Sequence, residues 1–160
     1  MHEFQIIQNP ALGAMAIHAF AKAYAKQSSD GDGPLLPLIM PILPIVFNER
    51  ATSVLWQVKR TTNSRFLTTL ADYRDLPAGL QERMVDMADQ TLKSLNLAFA
   101  LNLVNYDQDN SKLIPTKYLK KIPKIHYRDN QMIIHGAKML GTWFANYSIE
   151  ELCISLNIYF

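Results

Sequence analysis

The stretch Leu35–Phe47 reads Leu-Leu-Pro-Leu-Ile-Met-Pro-Ile-Leu-Pro-Ile-Val-Phe and constrains the fold more than any other part of the sequence. Its thirteen residues are all apolar or proline, and they lie between a polar Gly/Asp loop and a charged turn. A membrane-spanning helix needs about 20 apolar residues, so the block is too short to cross a bilayer. It is expected to be a buried element against which the amphipathic segments on either side pack. Pro37, Pro41 and Pro44 each lack a backbone donor, yet their spacing of four and three puts them on one helical face. Pro37 suits a first turn, whereas Pro41 and Pro44 would bend or break a helix; two extended pieces are the competing arrangement. The block holds no chemistry and is expected to be the centre of the fold.

A chain of 160 residues, 49% hydrophobic and 19% charged, reads as one globular domain spanning residues 1–160 rather than as a disordered segment. The net charge of +2 argues neither for nor against a nucleic-acid partner. A single cysteine, Cys153, excludes an intrachain disulfide and fits a reducing compartment. Met1–Gln5 shows neither the basic nor the apolar region of a signal peptide. These features point to a soluble, cytoplasmic protein without a membrane segment.

The pattern along the chain is mainly α. Asn9-Pro10 opens a helix to about Gln27, with Asn9 as N-cap and Pro10 at the first helical position. Its alanines and Gly13 allow close approach to a neighbour, for which Leu35–Phe47 is the candidate. Ser28–Gly33 reads as a turn: Asp30 and Asp32 lack the further ligands and distal Glu of a calcium loop. Asn48 can cap a helix Glu49–Val58, with Trp56 expected in the core, and Ser64 a second short helix to Tyr73. Asp75-Leu76-Pro77 is expected to begin the longest helix, reaching about Asn102. Leu80, Met84, Met87/Ala88, Leu92, Leu95 and Ala98/Phe99 form its core stripe. Residues 103–115 then switch to two β-prone pieces around Asp107–Ser111, a hairpin. A long helix running straight into such a hairpin predicts a winged-helix-like centre with the hairpin as the wing. The C-terminal helices occupy about 131–157: Gln131–Asn146, striped by Ile133, Ala137, Leu140 and Phe144, then a short one capped by Ser148. Gly136 and Gly141, five apart, mark local close contacts.

No catalytic, cofactor-binding or metal site is expected. The histidines at 2, 18, 126 and 135 show no ligand spacing, and Cys153 sits in an apolar helical context unlike that of reactive thiols. Gly31-Asp32-Gly33 lacks the Lys-Ser/Thr of a phosphate loop. Glu82, Asp86 and Asp89 share a helix edge that reads as a solvated face. The asymmetric feature is the tract from Lys112 to Arg128. It carries Lys112, Lys117, Lys120, Lys121, Lys124 and Arg128, six of the sixteen basic residues, with no acid. Following a wing, it could contact a phosphate backbone or an acidic partner surface; the alternative is a solvated lysine-rich linker.

Four blocks in order carry a resemblance to the middle component of prokaryotic ABC three-component conflict systems. They are Asn9–Ala14, the prolines and apolar residues from Pro34 to Phe47, the helix–hairpin passage Leu95–Pro115, and Ala137–Ala145. The sequence departs from the family in the third proline, Pro41, and in the tail Ser155–Phe160. The resemblance implies a non-enzymatic adaptor between an SMC-like ABC ATPase and an effector protein, in a system directed at invading nucleic acid. No cofactor is implied, and the oligomeric state stays open, with a homodimer as one option. The basic tract is not a family motif and takes no DNA-binding role from the resemblance; any DNA contact would fall within the complex. Ile158, Tyr159 and Phe160 are the candidate partner interface, since chain ends usually lie at the surface. The competing function is a stand-alone winged-helix DNA-binding regulator using the basic tract together with Gln90, Lys93 and Ser94.

Overall fold

The computed structural model describes residues 9–57, 77–116 and 128–160. The expected helix from Ser64 to Tyr73 and the start of the long helix at Asp75-Leu76 fall outside these residues. Among the described residues the chain is mainly α, with one small antiparallel hairpin.

Helix α1, Pro10–Gln27, starts as its sequence dictates. The Leu12 amide donates to Asn9 Oδ1 at 3.2 Å, and Pro10 occupies the first turn, where its missing N–H costs nothing. From Leu12 to Ala21 every residue except Met15 is buried. A helix buried nearly all round must be packed on several sides, and α1 lies against α5 and α6, defined below. The central position expected for Leu35–Phe47 is therefore shared with α1.

The three prolines of Leu35–Phe47 resolve into neither one helix nor two strands. Pro37 lies in the first turn of a 3-10 helix, Leu36–Ile39. Pro41 stands at the N-cap of α2, Ile42–Val46, and Pro44 is its third residue. None of these first-turn positions requires an intrahelical N–H, so the block becomes two short helices with every donor loss placed where it is tolerated. Residues Pro41 to Phe47 are all buried, as expected of a core element. The chain then turns by 96° into α3, Glu49–Gln57, with Asn48 Oδ1 accepting from the Ala51 amide at 3.0 Å. The buried Thr52 hydroxyl donates to the Val46 carbonyl at the end of α2. No single helix among the described residues is long and apolar enough to cross a membrane.

The expected long helix is two helices, α4 (Leu80–Asp86) and α5 (Ala88–Ala100), joined at Met87. Helix α5 ends where Asn102 adopts a left-handed conformation, φ 57°. The Leu103 amide bonds the Ala98 carbonyl and the Asn102 amide the Phe99 carbonyl, the paired bonds of a Schellman stop. That stop steers the chain into β1, Val104–Asp107, which pairs antiparallel with β2, Lys112–Pro115, in the register Val104↔Pro115 and Tyr106↔Leu113. Asp107 organises the turn by accepting from the Asp109 and Asn110 amides and the Asn110 side chain. A bridge from Leu35 to Lys112 fixes the hairpin to the start of the apolar block.

Helix α6, Arg128–Phe144, lies along α1. A Cβ on Gly141 would collide with the Phe20 carbonyl oxygen, and one on Gly136 would press on Leu55; the two glycines serve separate contacts, as their spacing implies. Gly13 faces Ser94 of α5 first, with Leu43 next, so its close neighbour is chiefly the long-helix region rather than the proline block. Trp143 and Phe144 are fully buried, and Phe144 meets Phe20 edge to face at 5.6 Å. Helix α7, Ile149–Leu156, opens with a capping box between Ser148 and Glu151.

Candidate functional site

Helices α4 and α5 carry an apolar stripe that is too wide for the core they meet. Leu80, Met84, Met87 and Leu95 are buried, but Val85 and Leu92 on the adjacent edge are 68% and 49% exposed. Leu92 thus leaves the core stripe read from the sequence, because the break at Met87 and the burial of Thr91 and Ser94 turn the inward face of α5 toward α1. Opposite Val85 and Leu92 lies the 3-10 segment with Leu36, Pro37 and Met40. Between the two walls is a groove of about 420 Å³.

The C-terminal residues close one end of the groove, for a local reason. Asn157 is left-handed at φ 53°, the Ile158 amide bonds the Cys153 carbonyl, and the Asn157 amide bonds the Ile154 carbonyl. This second Schellman stop folds the residue after it back toward its own helix, and Ile158 is buried, 4% exposed. The next two residues emerge on the groove side: Tyr159 is 73% exposed and Phe160 50%. The Tyr159 amide donates to Gln81 Oε1 at 3.0 Å, which fixes the tail to α4. Of the three tail residues singled out from sequence, Ile158 belongs to the core, and Tyr159 and Phe160 stand at the surface. The sequence does not mark Val85, Leu92 and the 3-10 wall as one surface: Leu92 and the proline block fit apolar patterns that read as core, and Val85 lies off the stripe between Met84 and Asp86.

The basic tract is only partly within the described residues. Lys112 lies in β2, and its Nζ forms an ion pair with Asp32 at 2.8 Å. The hydrogen bond that Lys112 donates to Asp32, aided by the carboxylate charge, raises the lysine pKa. The absence of acid within the tract itself therefore does not leave Lys112 unpaired: the turn at Asp30–Gly33 supplies the partner. Lys117, Lys120, Lys121 and Lys124 lie outside the described residues, and of Arg128 only the backbone, opening α6, is described. Ser94, one of the three residues assigned to base contact in the regulator reading, is 2% exposed and packed on Gly13. Gln90 has a buried side-chain oxygen, and Lys93 is exposed.

Among the described residues no three His, Cys, Asp or Glu side chains gather closely enough to hold a metal ion. His18 is buried, and one ring nitrogen lies 3.3 Å from the Thr116 carbonyl at the base of the hairpin. Burial lowers its pKa below 6.5, against a raising effect of that hydrogen bond and with Lys22 and Lys138 adding to the lowering. His135 stacks edge to face on Trp56 at 5.2 Å, and Trp56 is half-buried beside the core rather than within it as expected.

The chain belongs to the ABC-three component (ABC-3C) system Middle Component 3 family, which it matches over residues 1–160. It is thus one component of a multi-component ABC-3C system, which implies partner proteins. No curated protein and no solved structure gives a significant match to it.

Proposed function

We propose that this chain is a non-enzymatic, cytoplasmic adaptor that bridges an SMC-like ABC ATPase and an effector protein in a prokaryotic system directed against phage or plasmid nucleic acid. The observation that carries this reading is membership of the middle-component family along the whole chain. A second observation favours it: Val85, Leu92, Tyr159 and Phe160 expose apolar surface on one side of a groove. Contiguous apolar surface on a folded protein commonly marks an interaction site.

The hairpin fits the reading of the centre as a winged helix. Helix α5 delivers the chain directly into it, and the Leu35↔Lys112 bridge supplies a third strand position beside β2. A bridging role analogous to that of winged-helix subunits in SMC complexes rests on this likeness of build alone. Contact with DNA inside the complex, through Lys117, Lys120, Lys121 and Lys124, completes the proposal. The regulator alternative is weakened by the burial of Ser94 and by two exposed acids, Asp86 at the end of α4 and Asp89 at the start of α5.

A tagged full-length chain, recovered from its native host and analysed by mass spectrometry, tests the proposal. Stoichiometric recovery of an SMC-like ATPase and one further protein is expected. Recovery of the chain alone, or with DNA that survives moderate salt, would favour the regulator.

A further inference from the structure

We infer that the groove takes an amphipathic α-helix from a partner subunit, with lysine and arginine bordering its apolar stripe; this rests on the adaptor reading and specifies the partner's chemistry. The walls select the class of occupant. Small-molecule sites combine apolar lining with a few convergent polar groups that orient the ligand. Here the lining is almost wholly apolar, and Gln81 Oε1 is already occupied by the Tyr159 amide.

The backbone of the walls narrows the choice further. On the 3-10 side Pro37 and Pro41 have no N–H, and the Leu36, Leu38 and Met40 amides are bonded to Ser111, Leu35 and Pro37 carbonyls. The other wall is helix. An extended peptide laid here would leave its own N–H and C=O groups against apolar side chains, at a cost for each unpaired group. A helix satisfies them internally and presents only side chains. The stretch of wall from Gln81 to Leu95, interrupted at Met87, is at most about 20 Å long at ~1.5 Å per residue, room for no more than three to four turns of such a helix.

Charge defines the border. Glu82, Asp86 and Asp89 are all exposed and recur at intervals of four and three along the outer edge of α4 and α5. Glu82 stands three residues before Val85 and Asp89 three before Leu92, so each acid neighbours an exposed apolar residue on the same helical face. Arg83, the cation within this run, donates to the Ala78 carbonyl at 3.0 Å, and Lys93 follows only beyond Leu92. An occupant with basic edges meets complementary charge, and an acidic one is repelled.

The test places the photo-cross-linking residue p-benzoyl-phenylalanine at Val85 of the tagged full-length chain, produced together with the other components of its native system. The expected product joins Val85 to one partner segment with apolar residues at i, i+3 or i+4 and i+7 and with lysine or arginine alongside. The triple variant Glu82→Lys/Asp86→Lys/Asp89→Lys alters exposed positions only; because Glu82 and Asp89 stand in first helical turns, its melting temperature should fall by no more than a few degrees and the melt should stay cooperative. Its partner affinity should fall about tenfold at low salt, and the deficit should shrink as salt is raised. Cross-links to a second copy, to residues 1–8 of the same chain, or to an acidic or extended partner segment would overturn the inference. So would absence of any cross-link despite stoichiometric recovery of partners, or an unchanged affinity of the triple variant. Failure of the unmodified chain to recover any partner would instead remove the adaptor reading itself, and this inference with it.

Discussion

Two apolar regions of this molecule have opposite fates. Along the seam of α1 with α5 and α6, glycine, alanine and serine bring backbones together, and Phe20, Trp143 and Phe144 fill what remains, with exposures of 1% or less. Along the edge of α4 and α5, Val85 and Leu92 are 68% and 49% exposed, and Tyr159 and Phe160 stand half or more in solvent. The difference lies in the small residues. Gly13 opposite Ser94 and Gly141 opposite Phe20 let helices approach until nothing apolar is left uncovered. The outer edge of α4 and α5 carries exposed acids instead, Glu82, Asp86 and Asp89, beside its apolar residues.

The contrast can be strained most severely inside the seam. Phe144→Ala would remove a fully buried ring and its edge contact with Phe20, at a cost of about 3–5 kcal/mol. Equilibrium urea unfolding should show the midpoint fall sharply; a loss below about 1 kcal/mol would mean the seam is looser than described. Gly141→Ala would force the Phe20 carbonyl and the Tyr24 amide to give way. Since the obstacle is backbone, the expected cost is about 1–3 kcal/mol by the same measurement. A neutral result would show that α6 can slide on α1.

His18 probes the seam more gently, through pH. Its folded pKa lies below 6.5, because burial disfavours the charged ring. Its contribution is therefore fully present above pH 6.5. As the pH falls below that value the unfolded chain takes up the proton first and stability declines, levelling off below the folded pKa. His18→Gln, measured against the parent at pH 7.5 and pH 5.5, should flatten this decline. An identical decline in both proteins would place its origin in other groups.

Much of the fold could be read from the sequence because its signals are local. Asn9-Pro10, Asn48 and Ser148 cap helices where expected, and the hairpin forms around Asp107. Asn102 is a helix stop whose position the loss of periodicity marks. The groove was not legible, since nothing local distinguishes Leu92 from Leu95: both fit one helical stripe, and only the break at Met87 and the turn of α5 toward α1 separate them. Likewise the pairing of Lys112 with Asp32 joins positions eighty residues apart and depends on the Leu35 bridge. The burial of Ile158 next to an exposed Tyr159 follows from one left-handed residue, Asn157, whose conformation the composition of the tail does not reveal.

The central claim is that the second apolar region is held open for a partner rather than left over from an imperfect core. Val85→Asp tests it most directly, because the side chain is 68% exposed and a charge there should change stability by no more than about 0.5 kcal/mol. The measurement is recovery of the other components of the system on the tagged Val85→Asp chain, beside its thermal melt and those of the parent. The account predicts an unchanged melt with loss of at least one component. Full recovery of every component at an unchanged melt would contradict it.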